Sequence, residues 1–260
     1  MSSADRFRGA ELKLERADQH ILELGEILDD YGRRLTISYE PVVGAEELSE
    51  LRVSEPLPGM VSVVLGDAIH NMRSALDLAM CSIARERGVD TKHMKFPFAD
   101  SEAKFEALLK EKYLAPIGLD VQDFLRAIHP YPLGNPELHA LHSLDILDKH
   151  RLCIPVLAVT WGKSSFDFTI EALKGNGFDT SGVFSVGDGS DVSLDFVGSR
   201  MSTEDARRSY PTPYQPGRPA TALFPSDCSI PNRHVVDTCI DLLQRTWGVL
   251  LSFESLKVGP

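Results

Sequence analysis

Cysteine is scarce in this sequence and never closely spaced. The four present, Cys81, Cys153, Cys228 and Cys239, include no CxxC pair, which argues against a zinc knuckle or a thiol redox motif. Two of them, Cys81 and Cys239, fall inside predicted helices and read as buried free thiols. Long apolar runs are also missing. None approaches the roughly 20 residues needed to cross a bilayer, and the first thirty residues are dense in charge, without the apolar centre of a signal peptide. The expectation is a cytoplasmic protein that does not engage a membrane. Basic charge is in deficit as well: 27 Lys+Arg stand against 38 Asp+Glu, a formal net charge of −11. A broad, sequence-independent grip on nucleic acid calls for the opposite sign. That excludes a general DNA coat and leaves room for RNA met through one local pocket.

Signature motifs are few. Lys174-Gly175-Asn176-Gly177 and Gly187-Asp188-Gly189 lie between predicted strands, without the following helix that a phosphate-cradling loop requires. No serine sits in a nucleophile-elbow pattern. No internal repeat is visible.

What is present is hydrophobic periodicity in a chain of 260 residues. Leu14, Ala17, Ile21, Leu24, Leu28, Tyr31 and Leu35 alternate spacings of three and four, predicting a long amphipathic helix. Thr36–Val43 alternates like a strand, with Leu51–Val53 as its partner across a loop at Gly44–Glu47. A second long helix is predicted over Gly59–Arg87, with Leu65, Ala68, Met72, Ala75, Leu76, Ala79 and Ile83 on one side. Phe96-Pro97-Phe98 reads as an extended link, because the residue before proline avoids helix. Short helices are expected at Ser101–Lys112 and Asp120–Ala127. Asn135-Pro136 supplies a cap and a first-turn proline for a helix reaching about Lys149.

From Arg151 the character turns to strands: Leu152–Trp161, Ser165–Ala172, Gly182–Val186 and Val192–Val197, with Asp188-Gly189 as a hairpin turn. Ser209–Pro219, rich in proline, reads as an extended loop. A last helix is predicted over Asn232–Leu256, with Val236, Ile240, Leu243, Trp247, Leu250 and Phe253 on one face. The expected fold class is α+β, mainly a helical bundle with an inserted antiparallel sheet. Residues 1–150 would form a helical region with a short β-hairpin at about 36–54. Residues 151–226 would form the sheet region, and residues 227–260 a C-terminal helix packing back on the bundle, all in one integrated domain.

Two clusters carry candidate chemistry. In Gly66-Asp67-Ala68-Ile69-His70-Asn71-Met72-Arg73-Ser74-Ala75-Leu76-Asp77, helical spacing stacks His70, Arg73, Ser74 and Asp77 on one face, opposite the apolar side. A proton-transfer group, a cation and a carboxylate together suit acid–base chemistry on an anionic substrate. The same residues also suit a plain solvated helix face. In Leu141–Arg151, the run Asp148-Lys149-His150-Arg151 closes a helix. Basic groups at a helix C-terminus complement its dipole, and Asp145 with Lys149 is an ordinary i,i+4 pair. His139, His142 and Asp145 recur every three residues, within reach of a divalent ion, but no metal signature accompanies them. No cofactor is expected.

At these two clusters the chain resembles a family of uncharacterised bacterial and phage proteins sharing blocks like GDAIHNMRSALD and LHSLDILDKHR. The helix bearing Arg73 is also similar, more distantly, to the signature helix of HEPN domains. In nuclease members of that group, an Arg followed four to six residues later by a His is taken to cleave RNA without metal. The resemblance implies Arg73 at the first position; at the second, residue 78, this chain has Leu. A replacement base would then be His70, one turn from Arg73, or His150, with Lys149 or Arg151 clamping the phosphate and Asp77 and Asp148 lining the site. The function implied by the resemblance is that of a metal-independent ribonuclease, a toxin or phage-defence factor, working as a homodimer with two Arg73 helices facing a shared cleft.

A second reading makes the protein a non-catalytic binder of a partner or ligand, with Arg73, Asp77, Asp148, Lys149 and Arg151 in internal charge pairs that fix helix register. A third is a metal-dependent hydrolase built on His139, His142 and Asp145. Whether the Arg73 guanidinium is open to a cleft or closed in by other groups separates the first two.

Overall fold

A computed structural model of the chain describes residues 6–153, 155–161, 181–186, 190–196, 200–204 and 221–256. It is an α+β protein. The helices are α1 (Arg8–Arg34), α2 (Gly59–Glu86), α3 (Glu102–Leu109), α4 (Leu119–Ile128), α5 (Pro136–His150) and α6 (Val235–Glu254). The strands are β1 (Ile37–Val42), β2 (Ala45–Val53), β3 (Val156–Trp161), β4 (Ser181–Val186), β5 (Ser190–Phe196), β6 (Arg200–Ser202) and β7 (Thr221–Leu223). No helix among the described residues is long and apolar enough to cross a membrane.

The central packing is α1 against α2, with α6 lying on both and α5 on α2. All seven residues of the predicted α1 stripe, from Leu14 to Leu35, are buried, as its periodicity requires. α2 differs from a two-faced helix. Its predicted apolar side is buried, and so are Val61, Ile69, Asn71, Arg73 and Met80, because α1, α5, α6 and the 94–99 link surround it. α5 starts where the sequence places it: Asn135 Oδ1 accepts the Leu138 N–H at 3.1 Å, and Pro136 occupies the first turn. Ser101 caps α3 in the same way through the Lys104 N–H.

α6 is rotated from its predicted face. Val235, Thr238, Cys239, Leu242, Leu243, Thr246, Leu250 and Phe253 are buried, while Ile240 is exposed and Val236 and Trp247 only partly covered. Two threonines thus enter the core stripe beside Val235, Cys239 and Leu242. For Thr246 the reason is visible: its Oγ1 donates to Leu242 O at 2.7 Å, so the buried hydroxyl is satisfied within the helix.

The described residues form two antiparallel sheets, in the orders β1-β2-β6 and β4-β5-β3-β7. β2 begins six residues earlier than the predicted Leu51, and the turn shrinks to Val43-Gly44, with Gly44 at φ 83°. That positive φ is the region glycine enters without steric cost. β6 joins the N-terminal hairpin, pairing Glu50 with Arg200 and Leu48 with Ser202. One strand from the later part of the chain therefore extends the sheet near its beginning. β4 and β5 pair in register from Ser181↔Asp195 to Val186↔Ser190; the predicted turn residues Asp188-Gly189 lie outside the described residues. So do the predicted strand Ser165–Ala172 and the proline-rich loop at 209–219.

Candidate functional site: the seam between α2 and α5

The two clusters meet, and they meet rung by rung. α2 and α5 are joined by three successive contacts that run up one helix and down the other: Gly66 against Asp148, His70 against Asp145, and Arg73 against His142. Steps of four and three on α2 match steps of three and three on α5, which helical periodicity allows only along one face of each.

At the first rung the absence of a side chain is what permits the approach. A Cβ on Gly66 would lie 2.5 Å from both carboxylate oxygens of Asp148, closer than any real contact. Asp148 Oδ1 is buried without a hydrogen-bond partner among the described residues. Burial pushes the Asp148 carboxyl above its ordinary range, and nearby Asp145 and Asp67 add to that, against a hydrogen bond from the Cys153 backbone.

At the second rung, Asp145 is a buried carboxylate, 3% exposed, with both oxygens used. Oδ1 lies 3.0 Å from His70 Nδ1, and Oδ2 accepts from Lys149 Nζ at 2.5 Å. The His70 side chain is half-exposed. Its Nε2 lies 3.3 Å from Ser74 Oγ, one turn along α2.

At the third rung the predicted patch divides. His70 looks outward, whereas Arg73 is buried at 6% exposure. Its Nε donates to His142 Nδ1 at 3.4 Å, its Nη1 lies 2.5 Å from Asp77 Oδ1, and its guanidinium carbon sits 4.7 Å from the Phe98 ring centroid. His142 stacks on that same ring at 4.7 Å and 6°. Burial first, and the Arg73 charge second, push the His142 imidazole down to about 4, so it is neutral at pH 7 and available as an acceptor.

Arg73 and Asp77 also grip the chain at Phe96. Asp77 Oδ1 accepts the Phe96 N–H at 2.7 Å, and Arg73 Nη2 reaches the Phe96 carbonyl at 3.5 Å. The 94–99 link has no regular structure to satisfy its backbone, so these two side chains supply partners that a sheet would otherwise provide.

The corner at the end of α5 does not reach Arg73. Lys149 turns back to Asp145, and Arg151 pairs with Asp227 at 2.8 Å on the surface. His150 is exposed. Leu78, where the HEPN resemblance expects a histidine, lies at the surface near Gly9. His139, His142 and Asp145 do not converge on a common point: Asp145 and His142 are committed to α2, and His139 Nδ1 lies 3.4 Å from Ser143 Oγ. Among the described residues, no group of three or more His, Cys, Asp or Glu is placed to hold a metal ion.

Two functional groups escape a reading of the sequence. Asp145 is legible there as half of an i,i+4 pair and as one of three spaced candidate metal ligands, not as the buried partner of His70 that organises the seam. Asn71, one residue after His70, ties α1 to α2: Lys13 Nζ donates to its Oδ1 at 2.9 Å while its Nδ2 donates to Asp67 O. The signal that could have found both is a polar residue on a helix face otherwise flanked by core positions. Neither a protein-family model, nor a curated protein, nor a solved structure matches the chain.

Proposed function

We propose that the Arg73 motif is architectural and that the protein acts by binding a partner or small ligand rather than by cleaving RNA. The observation that carries this is the enclosure of Arg73. Its guanidinium is shut in by Asp77, His142, the Phe96 carbonyl and the Phe98 ring, and has 6% exposure. A cation that holds a scissile phosphate must present its fork to that phosphate. A homodimer whose two Arg73 helices face a shared cleft would need the same group turned outward. What remains accessible on the seam is His70 with the end of α5, Lys149 and His150, and this rim is where the bound partner or ligand makes contact.

The competing HEPN-like ribonuclease reading retains one favourable observation: His70 is half-exposed and oriented by a buried carboxylate, the arrangement of a general base. The test uses purified protein and a structured RNA, with and without EDTA, beside Arg73→Ala, Arg73→Lys and His70→Ala. The expected result is intact RNA throughout, with Arg73→Ala losing thermal stability. RNA cleavage that survives EDTA and disappears in Arg73→Lys at unchanged melting temperature overturns the proposal.

A further inference from the structure

The geometry points to an activity beyond binding: Ser74, His70 and Asp145 form a nucleophile–base–carboxylate relay able to accept an acyl group from a small carboxylic ester. Ser74 Oγ lies 3.3 Å from His70 Nε2, and His70 Nδ1 lies 3.0 Å from Asp145 Oδ1. Such a relay is recognised by the roles and distances of its members, on whatever fold they stand. Here two members come from consecutive turns of α2 and the third from α5. Asp145, 3% exposed, accepts from Lys149 Nζ through its other oxygen and so faces His70 as a carboxylate. It therefore holds the proton of His70 on Nδ1 and leaves the Nε2 lone pair facing the Ser74 hydroxyl.

Two internal comparisons mark Ser74 out. A helix-interior hydroxyl can turn back on the carbonyl one turn earlier, as Ser143, Thr246 and Ser252 do, onto His139, Leu242 and Gly248. Ser74 instead meets an imidazole. Ser143 also approaches a histidine, His139 Nδ1, at 3.4 Å, but among the described residues no buried carboxylate bonds that ring. An i,i+4 Ser–His pair arises from helix geometry alone; the buried Asp145 does not.

In the reaction the Ser74 oxygen attacks the ester carbonyl carbon while its proton passes to His70 Nε2. The carbon–oxygen bond to the alcohol breaks, and the alcohol leaves with that proton. Water then attacks the acyl-serine with His70 again taking the proton, which releases the carboxylic acid and restores the hydroxyl. His70 and Ser74 touch the reacting atoms, and Asp145 is a positioning residue. This activity is independent of the role assigned to Arg73.

The experiment exposes the full chain to an alkyl fluorophosphonate, which phosphonylates activated serines with loss of fluoride, and maps the adduct by mass spectrometry. The expected result is one adduct on Ser74. It is absent in Ser74→Ala, and it slows at least tenfold in His70→Gln and Asp145→Asn, with partial recovery in Asp145→Glu. Melting curves on each variant separate loss of the relay from loss of the fold. If Asp145→Asn fails to fold, the half-exposed His70→Gln carries the comparison. No adduct on the wild-type chain, an adduct that persists in Ser74→Ala, or labelling unchanged in folded His70→Gln overturns the proposal.

Discussion

Arg73 shows how a single charged side chain is accommodated inside a protein. Its stem and guanidinium are covered, its positive charge is met by Asp77, and its flat face lies against Phe98. Removing one partner of a buried pair leaves the other uncompensated and typically costs 3–5 kcal/mol. Asp77 is partly exposed and recovers some solvation, so Arg73→Ala is expected to cost about 3 kcal/mol, read from chemical denaturation. A loss below about 1 kcal/mol, the value of a surface pair, would show that the clasp on the Phe96 backbone is not holding the link.

His142 and Asp148 lend the seam opposite pH dependences. The folded-state His142 titrates at about 4, against an ordinary unfolded value of about 6.5. The folded chain therefore binds fewer protons in that window. The stability His142 contributes is complete above pH 6.5 and is lost as pH falls towards 4. His139 and His234, both pushed down mainly by burial, act in the same sense. Asp148, pushed up, acts in the other: its folded form holds a proton more readily, so its contribution grows as pH falls. Melting temperatures from pH 7 to 4.5 should fall more steeply for the wild type than for His142→Gln, which keeps an acceptor for Arg73 without titrating. Parallel curves would assign the acid sensitivity to groups other than His142, among them His139, His234 and the Lys104- and Arg126-paired carboxylates Asp100 and Glu106.

At the scale of elements, the α2–α5 contact depends on a residue with no side chain. Gly66→Ala inserts a methyl where Asp148 already sits, and overpacking of this kind costs about 1–3 kcal/mol. Asp148→Ala removes the obstacle together with a carboxylate oxygen that is buried unpaired. The double variant should then be more stable than the two single losses added together, by a coupling energy on the order of 1 kcal/mol measured in a double-mutant cycle. Strict additivity would mean that the helices separate rather than touch at this rung. The three rungs explain why both blocks are legible in the sequence while the way they join is not. Helical spacing places His70, Arg73 and Asp77 on neighbouring positions of α2. Which of them turns towards α5, towards the link or towards solvent depends on what packs there, from about 20 to 80 residues away along the chain.

Over the whole molecule, the core is continuous from α1 through α2 to α6. Phe253 joins these elements, fully buried, with Phe124 at 4.6 Å and Phe7 and Phe96 each at 6.4 Å between ring centroids. Phe253→Ala is expected to cost about 3–5 kcal/mol through lost burial and the cavity left behind, measured by urea denaturation. A cost near 1 kcal/mol would mean that the end of α6 is held elsewhere.

The amino-acid order alone determined what is local: the α1 stripe, the Asn135 cap, and the start and end of α2 to within a residue or two. Each depends on spacing along one chain segment, where periodicity and capping act over a few residues. The packed structure decided the rest. It buried Arg73, set Asp145 behind His70, rotated α6 so that Thr238 and Thr246 entered the core, and sent β6 to the N-terminal hairpin. Those outcomes rest on contacts between distant segments, and a polar side chain enters a core only when a particular partner is there to satisfy it.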